Sequence, residues 1–402
     1  MEEIIQHLTP ILRDIWGYIF PNEIELHWGI LIVLYPYLTG LVAGAFILAS
    51  LVKVFNVKEL QPTYRLAMLT ALAFLIIAPL PLLGHLGHPE RSYEIFLTPN
   101  SASAMAMFGF VYAWYLMAVL CLEIWFEYRK DIILWAQKGK GLMKWIHKII
   151  SLFSHDISEK AIKFDKKWVK IVTIIGIPSA FLLHGYVGFI FGSVKANPWW
   201  SSVLMPIVFL FSAIVSGIAM VLIIYMVITP FRGKSLDIEC LDKLASYLFY
   251  VMIIDFSLEA LDFVHRVYES EESIKILAYL VSDKLFISLV VIQLIMGMII
   301  PLGMIALIKI MKSPPELKKM IYFIAAILVE VGIFTTRWNI VIGGQLFSKS
   351  FRGLTVYKMT FFGLEGLLAG LAILSFPFII LFLLTKILPP WEDAKTTNEL
   401  SL

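Results

Sequence analysis

The sequence predicts an all-α integral membrane protein with about nine transmembrane helices. Three observations carry that expectation. Of 402 residues, 59% are hydrophobic and 16% charged, where soluble domains run at about 45–50% and about 25%. Apolar runs of about 20 residues, enough to cross the hydrocarbon core, recur along the chain. The period-two alternation of a β-barrel is absent, so backbone groups in lipid must pair within helices. Composition alone excludes a cytosolic enzyme, a disordered chain, a coiled coil and a disulfide scaffold.

In order, the spans are expected at 27–52, 66–87, 104–127, 168–193, 201–229, 244–265, 285–309, 320–342 and 359–386. Proline and glycine fall inside several, which a bundle tolerates because neighbouring helices satisfy the freed backbone groups. Twenty-three lysines and arginines lie in or beside the loops after the first, third, fifth and seventh segments and in the C-terminal tail. Nine lie in the N-terminal segment and the remaining loops. Basic loops stay inside, which places the N-terminus outside and the C-terminus inside a cytoplasmic membrane. The start, MEEIIQHL, lacks the basic n-region of a cleaved signal peptide.

One domain, 27–386, accounts for most of the chain. Residues 1–26 form an outer-face segment, of which 3–20 would lie on the membrane surface, and 387–402 an inner tail. The basic stretch 128–167, with Trp145, Ile149 and Ile150 among lysines, reads as an amphipathic helix on the inner surface or as a solvated loop. Net charge is +3, too small to suggest nucleic acid. The two cysteines, Cys121 and Cys240, make no CxxC or CxxCH motif, so no iron–sulfur cluster, c-type haem or thiolate zinc site is expected in this chain. No phosphate-loop or dinucleotide motif occurs.

Ionisable groups within a span cost about 2.5–3.5 kcal/mol each on insertion scales, which makes them functional candidates. The sixth segment places Asp255, Glu259 and Asp262 at i, i+4 and i+7, with Arg266 continuing the face. Such a ladder could pass protons between a buried site and water; structural ion pairing is the plainer reading. The eighth segment carries Glu330 and Arg337 on one face. Arg337 lies too deep for a free surface charge and is expected to pair with a carboxylate of the sixth segment or with a ligand. Glu365 is a weaker candidate, and Gln293 reads as interhelical glue.

Histidines and aromatics gather on the outer side: His27 and Tyr35 near the start of the first segment, His85 and His88 at the end of the second, His184 and Tyr186 in the fourth. Trp199 and Trp200 read as aromatic belt. His184 sits about two turns inside, where neither belt nor solvent accounts for it. It and Tyr186 point to nearly opposite faces, so one pocket serves both only by wrapping the helix edge. The inner half has no within-span histidine, which excludes two stacked haems; one outer haem through His184 stays open.

Four stretches then carry a resemblance: LHWGILIVLYPYLTGLVAGAFILAS (26–50), GHLGHPERSYEIFLTPNSASAMAMFGF (84–110), ANPWWSSVLMPIVFLFSAIVSG (196–217) and TRWNIVIGGQ (336–345). Together they resemble the polysulfide reductase membrane-subunit family, NrfD/PsrC, in a style closest to membrane subunits of periplasmic nickel–iron hydrogenases. The resemblance implies two four-helix bundles, helices one to four and five to eight, with the ninth helix additional. It implies a quinone- or quinol-reactive subunit (menaquinone or ubiquinone) with no redox cofactor of its own. An iron–sulfur subunit would dock on the outer face and link it to a catalytic subunit. Family positions for the quinone match Tyr35 and Tyr186, and recurrent polar positions match His184 and Asp255.

On this reading His184, Tyr186, Tyr35, His27 and Arg337 hold the quinone, and Asp255, Glu259, Asp262 and Glu330 move protons. Two rival classes exist. An ion-coupled secondary transporter would also suit broken helices and midplane acids, but no inverted repeat is visible. A simple anchor for a periplasmic enzyme would gain nothing from burying Asp255 and Arg337.

Overall fold

The structure, a computed structural model, describes residues 9, 11–98, 100–269, 273–311 and 313–391, with backbone only at 104–106 and 269. Among these residues, nine long helices follow the expected order: α1 Ile30–Lys53, α2 Lys58–His85, α3 Met107–Lys138, α4 Glu159–Gly192, α5 Met205–Phe231, α6 Ile238–Tyr268, α7 Phe286–Ile310, α8 Pro315–Val341 and α9 Leu367–Ile387. Among the described residues, eight helices are long and apolar enough to cross a membrane. The exception is α8, a continuous helix of 27 residues. Length and apolarity therefore give eight spans rather than the expected nine. This helix carries Lys318 and Lys319 near its start, then Glu330 and Arg337. It packs against α1, α5 and α7, and Glu330 and Arg337 are buried.

α1 to α4 pack as one four-helix group and α5 to α8 as a second, with α9 laid against α2. A helix apolar all round belongs in the interior. α1 is the case in point, with 94% of its apolar window buried, against 17% for α9. The spine is α1, and α9 is peripheral.

Small residues set the closest contacts. A Cβ on Gly44 would lie 2.0 Å from the Ala213 carbonyl oxygen, and one on Gly217 would lie 2.3 Å from the Gly44 carbonyl carbon. Gly40, Gly44, Ala213 and Gly217 thus form a small-xxx-small crossing between α1 and α5, and this crossing joins the two bundles. A second such contact, Gly297 on Gly332, locks α7 to α8. In α7 the backbone from Phe286 to Ile299 is wound as a π-helix, as it is from Tyr115 to Cys121 in α3.

At the lysine-rich end the expected loop 128–167 is mostly helix. α3 continues to Lys138, and α4 starts at Glu159 behind Ser158, whose hydroxyl accepts the Ala161 N–H. A buried Arg129–Asp165 pair, 2.9 Å apart, ties the two extensions together. Between them lies a short amphipathic helix, Gly141–Ile150. Trp145 and Ile149 are on its exposed face. Buried His147 donates from Nε2 to the Ile387 carbonyl at 2.8 Å.

At the opposite end the expected surface segment 3–20 falls partly outside the described residues, at 3–8 and 10. Its described part has helical residues at 9 and 11–13 and then a strand, β1 (Trp16–Gly17), paired antiparallel with β2 (Gly353–Leu354). Asp14 meets Lys358 at 2.7 Å, and Lys358 holds its carboxyl below the usual carboxylate range. Most of the expected inner tail, from 392 onward, lies outside the described residues.

Candidate functional site

His184 is fully buried where α4 meets α1, α5 and α8. Gly40 makes room for it, since a Cβ there would stand 3.2 Å from the imidazole. Arg337, also fully buried, brings Nη2 to 3.3 Å from His184 Nε2 and to 2.6 Å from Ser212 Oγ. Its guanidinium lies 4.3 Å over the Phe209 ring. On its other side His184 Nδ1 faces Thr39 Oγ1 at 3.3 Å, and Thr39 donates to the Tyr35 carbonyl. Both ring nitrogens are thus taken by protein groups.

Tyr35 and Tyr186 come together elsewhere. Phe108 lies edge-on to Tyr35, with centroids 5.4 Å apart, and stacks on Tyr186 at 5.6 Å. Both phenol oxygens are buried and lack a hydrogen-bond partner among the described residues. Tyr186 and His184 therefore serve different clusters on different faces of α4, as their spacing requires. Tyr37, two positions after Tyr35, turns the other way and donates to Glu330 Oε2 at 2.7 Å; residues two apart on a helix do not share a face.

The acids of α6 do share one face. Glu259, Asp262 and Arg266 line a cavity of about 340 Å³ bounded by α5, α6, α7 and α8. Asp262 pairs with Arg266 at 2.9 Å and accepts from Ser202. Gln293 bridges helices as expected, donating to Glu259 Oε2 at 3.1 Å and accepting from Asn339 Nδ2 at 2.8 Å. Asp255, one turn deeper, is fully buried. Among the described residues neither of its oxygens has a hydrogen-bond partner, and Nε and Nη1 of Arg337 also have none. Arg337 interacts electrostatically with Asp255 and Glu259 without the direct pairing the sequence suggested. Among the described residues no group of three or more His, Cys, Asp or Glu is placed to hold a metal ion.

Residues 21–349 match the family described as Polysulphide reductase, NrfD. The chain belongs to that family. It is 35% identical to the C subunit of selenate reductase from Mesobacillus selenatarsenatis, over 78% of this chain and 73% of that one. It is 25% identical to an Hdr-like menaquinol oxidoreductase integral membrane subunit of Archaeoglobus fulgidus, over 81% and 72%. A putative dimethyl sulfoxide reductase membrane subunit of Halobacterium salinarum is 28% identical over 52% and 45%. These likenesses make the chain the membrane subunit of a redox complex.

Within this NrfD chain, two of the stretches behind the resemblance interlock. Trp199 and Trp200, expected as aromatic belt, are instead structural donors. Their indole N–H groups donate to the carbonyls of Asn339 and Ile340 at 2.9 and 2.6 Å, satisfying carbonyls at the end of α8. Trp200 also stacks on Trp28, with centroids 5.4 Å apart, and Asn197 donates to the Gly344 carbonyl at 2.7 Å. Among the histidines, His27 is exposed and lies ahead of the first turn of α1, apart from Tyr35. His85 contacts Glu365, and exposed His88 pairs with Glu90 at 3.0 Å.

Sequence reasoning misses Glu123 of the NrfD chain. It is fully buried and accepts from Thr173 at 2.8 Å and Tyr64 at 3.4 Å. Its signal is an acid inside an apolar run. A third span ending at 127 puts Glu123 near an interface, which hides that signal. The helix continues to Lys138, leaving Glu123 about four turns from its end. Tyr37, Thr39, Ser212 and Phe108 carry no signal in the sequence, since nothing local marks which helix they will face.

Proposed function

We propose that this NrfD subunit exchanges electrons with quinone or quinol, its headgroup held between Tyr35 and Tyr186. The observation that carries this reading is the pair of buried phenols without partners around the Phe108 ring. A buried hydroxyl left unpaired is costly. A flat ring bearing oxygens would satisfy both phenols and continue the aromatic stack. The printed name of the Archaeoglobus relative, a menaquinol oxidoreductase subunit, supports the same ligand class. When bound, the quinone supplies a two-electron, two-proton couple.

The chain's own residues would hold the ring and handle the protons. Tyr35 and Tyr186 donate to the ring oxygens. His184, joined to the Tyr35 backbone carbonyl through Thr39, accepts from Arg337 and ties that guanidinium to the helix that carries Tyr35. Asp255, Glu259 and Asp262 on α6, and Glu330 through Tyr37, form the proton-carrying groups. His27 stands at the surface above α1. The iron–sulfur and catalytic partners would dock on the face built by β1, β2 and the Asn197–Trp200 loop, which is the outer face if the basic loops lie inside. Relatives from selenate and dimethyl sulfoxide reductases support a partner of the reductase type.

The test is the double substitution Tyr35→Phe and Tyr186→Phe in the intact complex. Quinone-linked turnover should fall by about a hundredfold, within the range for losing positioned proton donors. Dye-linked activity of the catalytic partner should stay. Full quinone-linked turnover in the double variant refutes the site.

A further inference from the structure

The cavity in the other bundle presents unpartnered acceptors, where Tyr35 and Tyr186 present unpartnered hydroxyls. It lies between α5, α6, α7 and α8, measures about 340 Å³ and is mostly apolar, with Trp199 and Phe256 in its wall. That is within the size range of small-ligand sites, about 300–1,000 Å³. Phe256 and Phe263 line it and are also exposed on the perimeter, so the cavity reaches the lipid-facing surface between α6 and α7.

In its wall Asp262 is already taken by Arg266 and Ser202, and Glu259, Gln293 and Asn339 are ordered by one chain of hydrogen bonds. The Glu259 carboxylate can only accept, so Gln293 turns its Nε2 toward it. That leaves Gln293 Oε1 to face Asn339, which must present Nδ2. The Asn339 Oδ1 is then left with no partner among the described residues, as is Glu259 Oε1. The amide orientations follow from the network. Both orphaned atoms are acceptors and both are buried; Asn339 as a whole is 1% exposed. The π-helical winding of α7 accompanies this, since Gln293 lies within the wound stretch, and such stretches cluster at functional sites.

We propose that this cavity binds the headgroup of a lipid-soluble quinol, entering from the bilayer between α6 and α7, at a site separate from Tyr35 and Tyr186. The inference rests on the quinone reading above. The ligand must donate hydrogen bonds to Glu259 and Asn339, carry a flat apolar body against Trp199 and Phe256, and arrive through lipid. A quinol's two hydroxyls and ring meet all three demands. A phospholipid acyl chain brings no donor, and water leaves the apolar wall unfilled.

The experiment uses the complex isolated from native membranes and a quinol with a diazirine on its tail, its cross-links mapped by peptide mass. Cross-links in 256–263 and 286–294 that excess unlabelled quinol removes support the proposal. Ala260→Trp, which fills the cavity, should reduce them by about tenfold or more, a loss of about 1.4 kcal/mol in affinity, while cross-links near Phe108 and Tyr186 persist. Labelling confined to α1, α3 and α4 overturns this site and leaves the Tyr35–Tyr186 site standing. Labelling at α6 and α7 alone upholds it and overturns the other. No labelling at all overturns both. Labelling of α6 and α7 that a diazirine phospholipid matches and quinol does not compete also overturns it. Competition in the unsubstituted complex decides the matter if the tryptophan variant does not assemble.

Discussion

His184 and Arg337 meet through one pair of nitrogens, Nε2 and Nη2, 3.3 Å apart. The guanidinium only donates and stays protonated. His184 Nε2 must therefore accept, which leaves the proton of a neutral ring on Nδ1, facing Thr39. Thr39 in turn donates to the Tyr35 carbonyl. One imidazole thus connects α4 of the first bundle to α8 of the second, with its tautomer fixed by its neighbours.

That junction predicts a steep response to charge-preserving change. Arg337→Lys keeps the charge, but an ammonium cannot reproduce the planar fork or the stack on Phe209. Quinone-linked turnover per assembled complex should drop by about tenfold or more, in line with about 1.4 kcal/mol per decade. Asp255→Asn should lower it similarly with assembly intact. Turnover within a factor of about two of the parent in both variants would remove the junction from the mechanism.

The crossing of α1 and α5 predicts a packing defect. Gly44→Leu has no space, since even a Cβ would meet the Ala213 carbonyl. Overpacking costs about 1–3 kcal/mol or more, so the thermal midpoint of the detergent-solubilised complex should fall by several degrees. Gly303→Ala is the control, because nothing lies within 4 Å of its added Cβ. Equal midpoints for both variants would contradict the crossing.

The tryptophan loop predicts a smaller effect with a clear chemical cause. Trp200→Phe keeps a ring against Trp28 but loses the hydrogen bond to the Ile340 carbonyl. The penalty should be about 1–3 kcal/mol, since the acceptor is left buried. Thermal unfolding followed by tryptophan-independent dye binding measures it. A belt residue would show almost no loss.

The Asp14–Lys358 contact predicts a pH direction. Lys358 lowers the Asp14 carboxyl, so the contact is complete above the ordinary aspartate value of about 3.9 and is lost as pH falls through the lowered one. At neutral pH, Lys358→Gln should speed tryptic cleavage after Arg13 by about two- to threefold, as expected for a modest exposed pair. An unchanged rate would mean that the strand pairing alone holds the segment.

Much of the architecture is legible in the sequence. Apolar length locates eight of the nine long helices among the described residues, and the period of 3.6 puts Glu259, Asp262 and Arg266 on one face. The same period separates His184 from Tyr186. The ends of α3 and α4 are not legible, because charged helical extensions beyond the bilayer look like loop when apolarity is the criterion. Trp199 and Trp200 look like belt because composition cannot distinguish an indole at an interface from one donating to a neighbouring helix.

By itself, the sequence determined that the chain spans a membrane as helices, where its scarce charges fall along them, and which of those charges share a face. Those are local properties, set by residue type and helical period. The tertiary structure decided the rest: that α1 is the spine, that Arg337 lies between His184 and Ser212 rather than on a carboxylate, and that Glu123 is buried. Each depends on how two helices rotate against each other, and that rotation is fixed by distant small residues such as Gly44 and Gly217, whose partners no local pattern names.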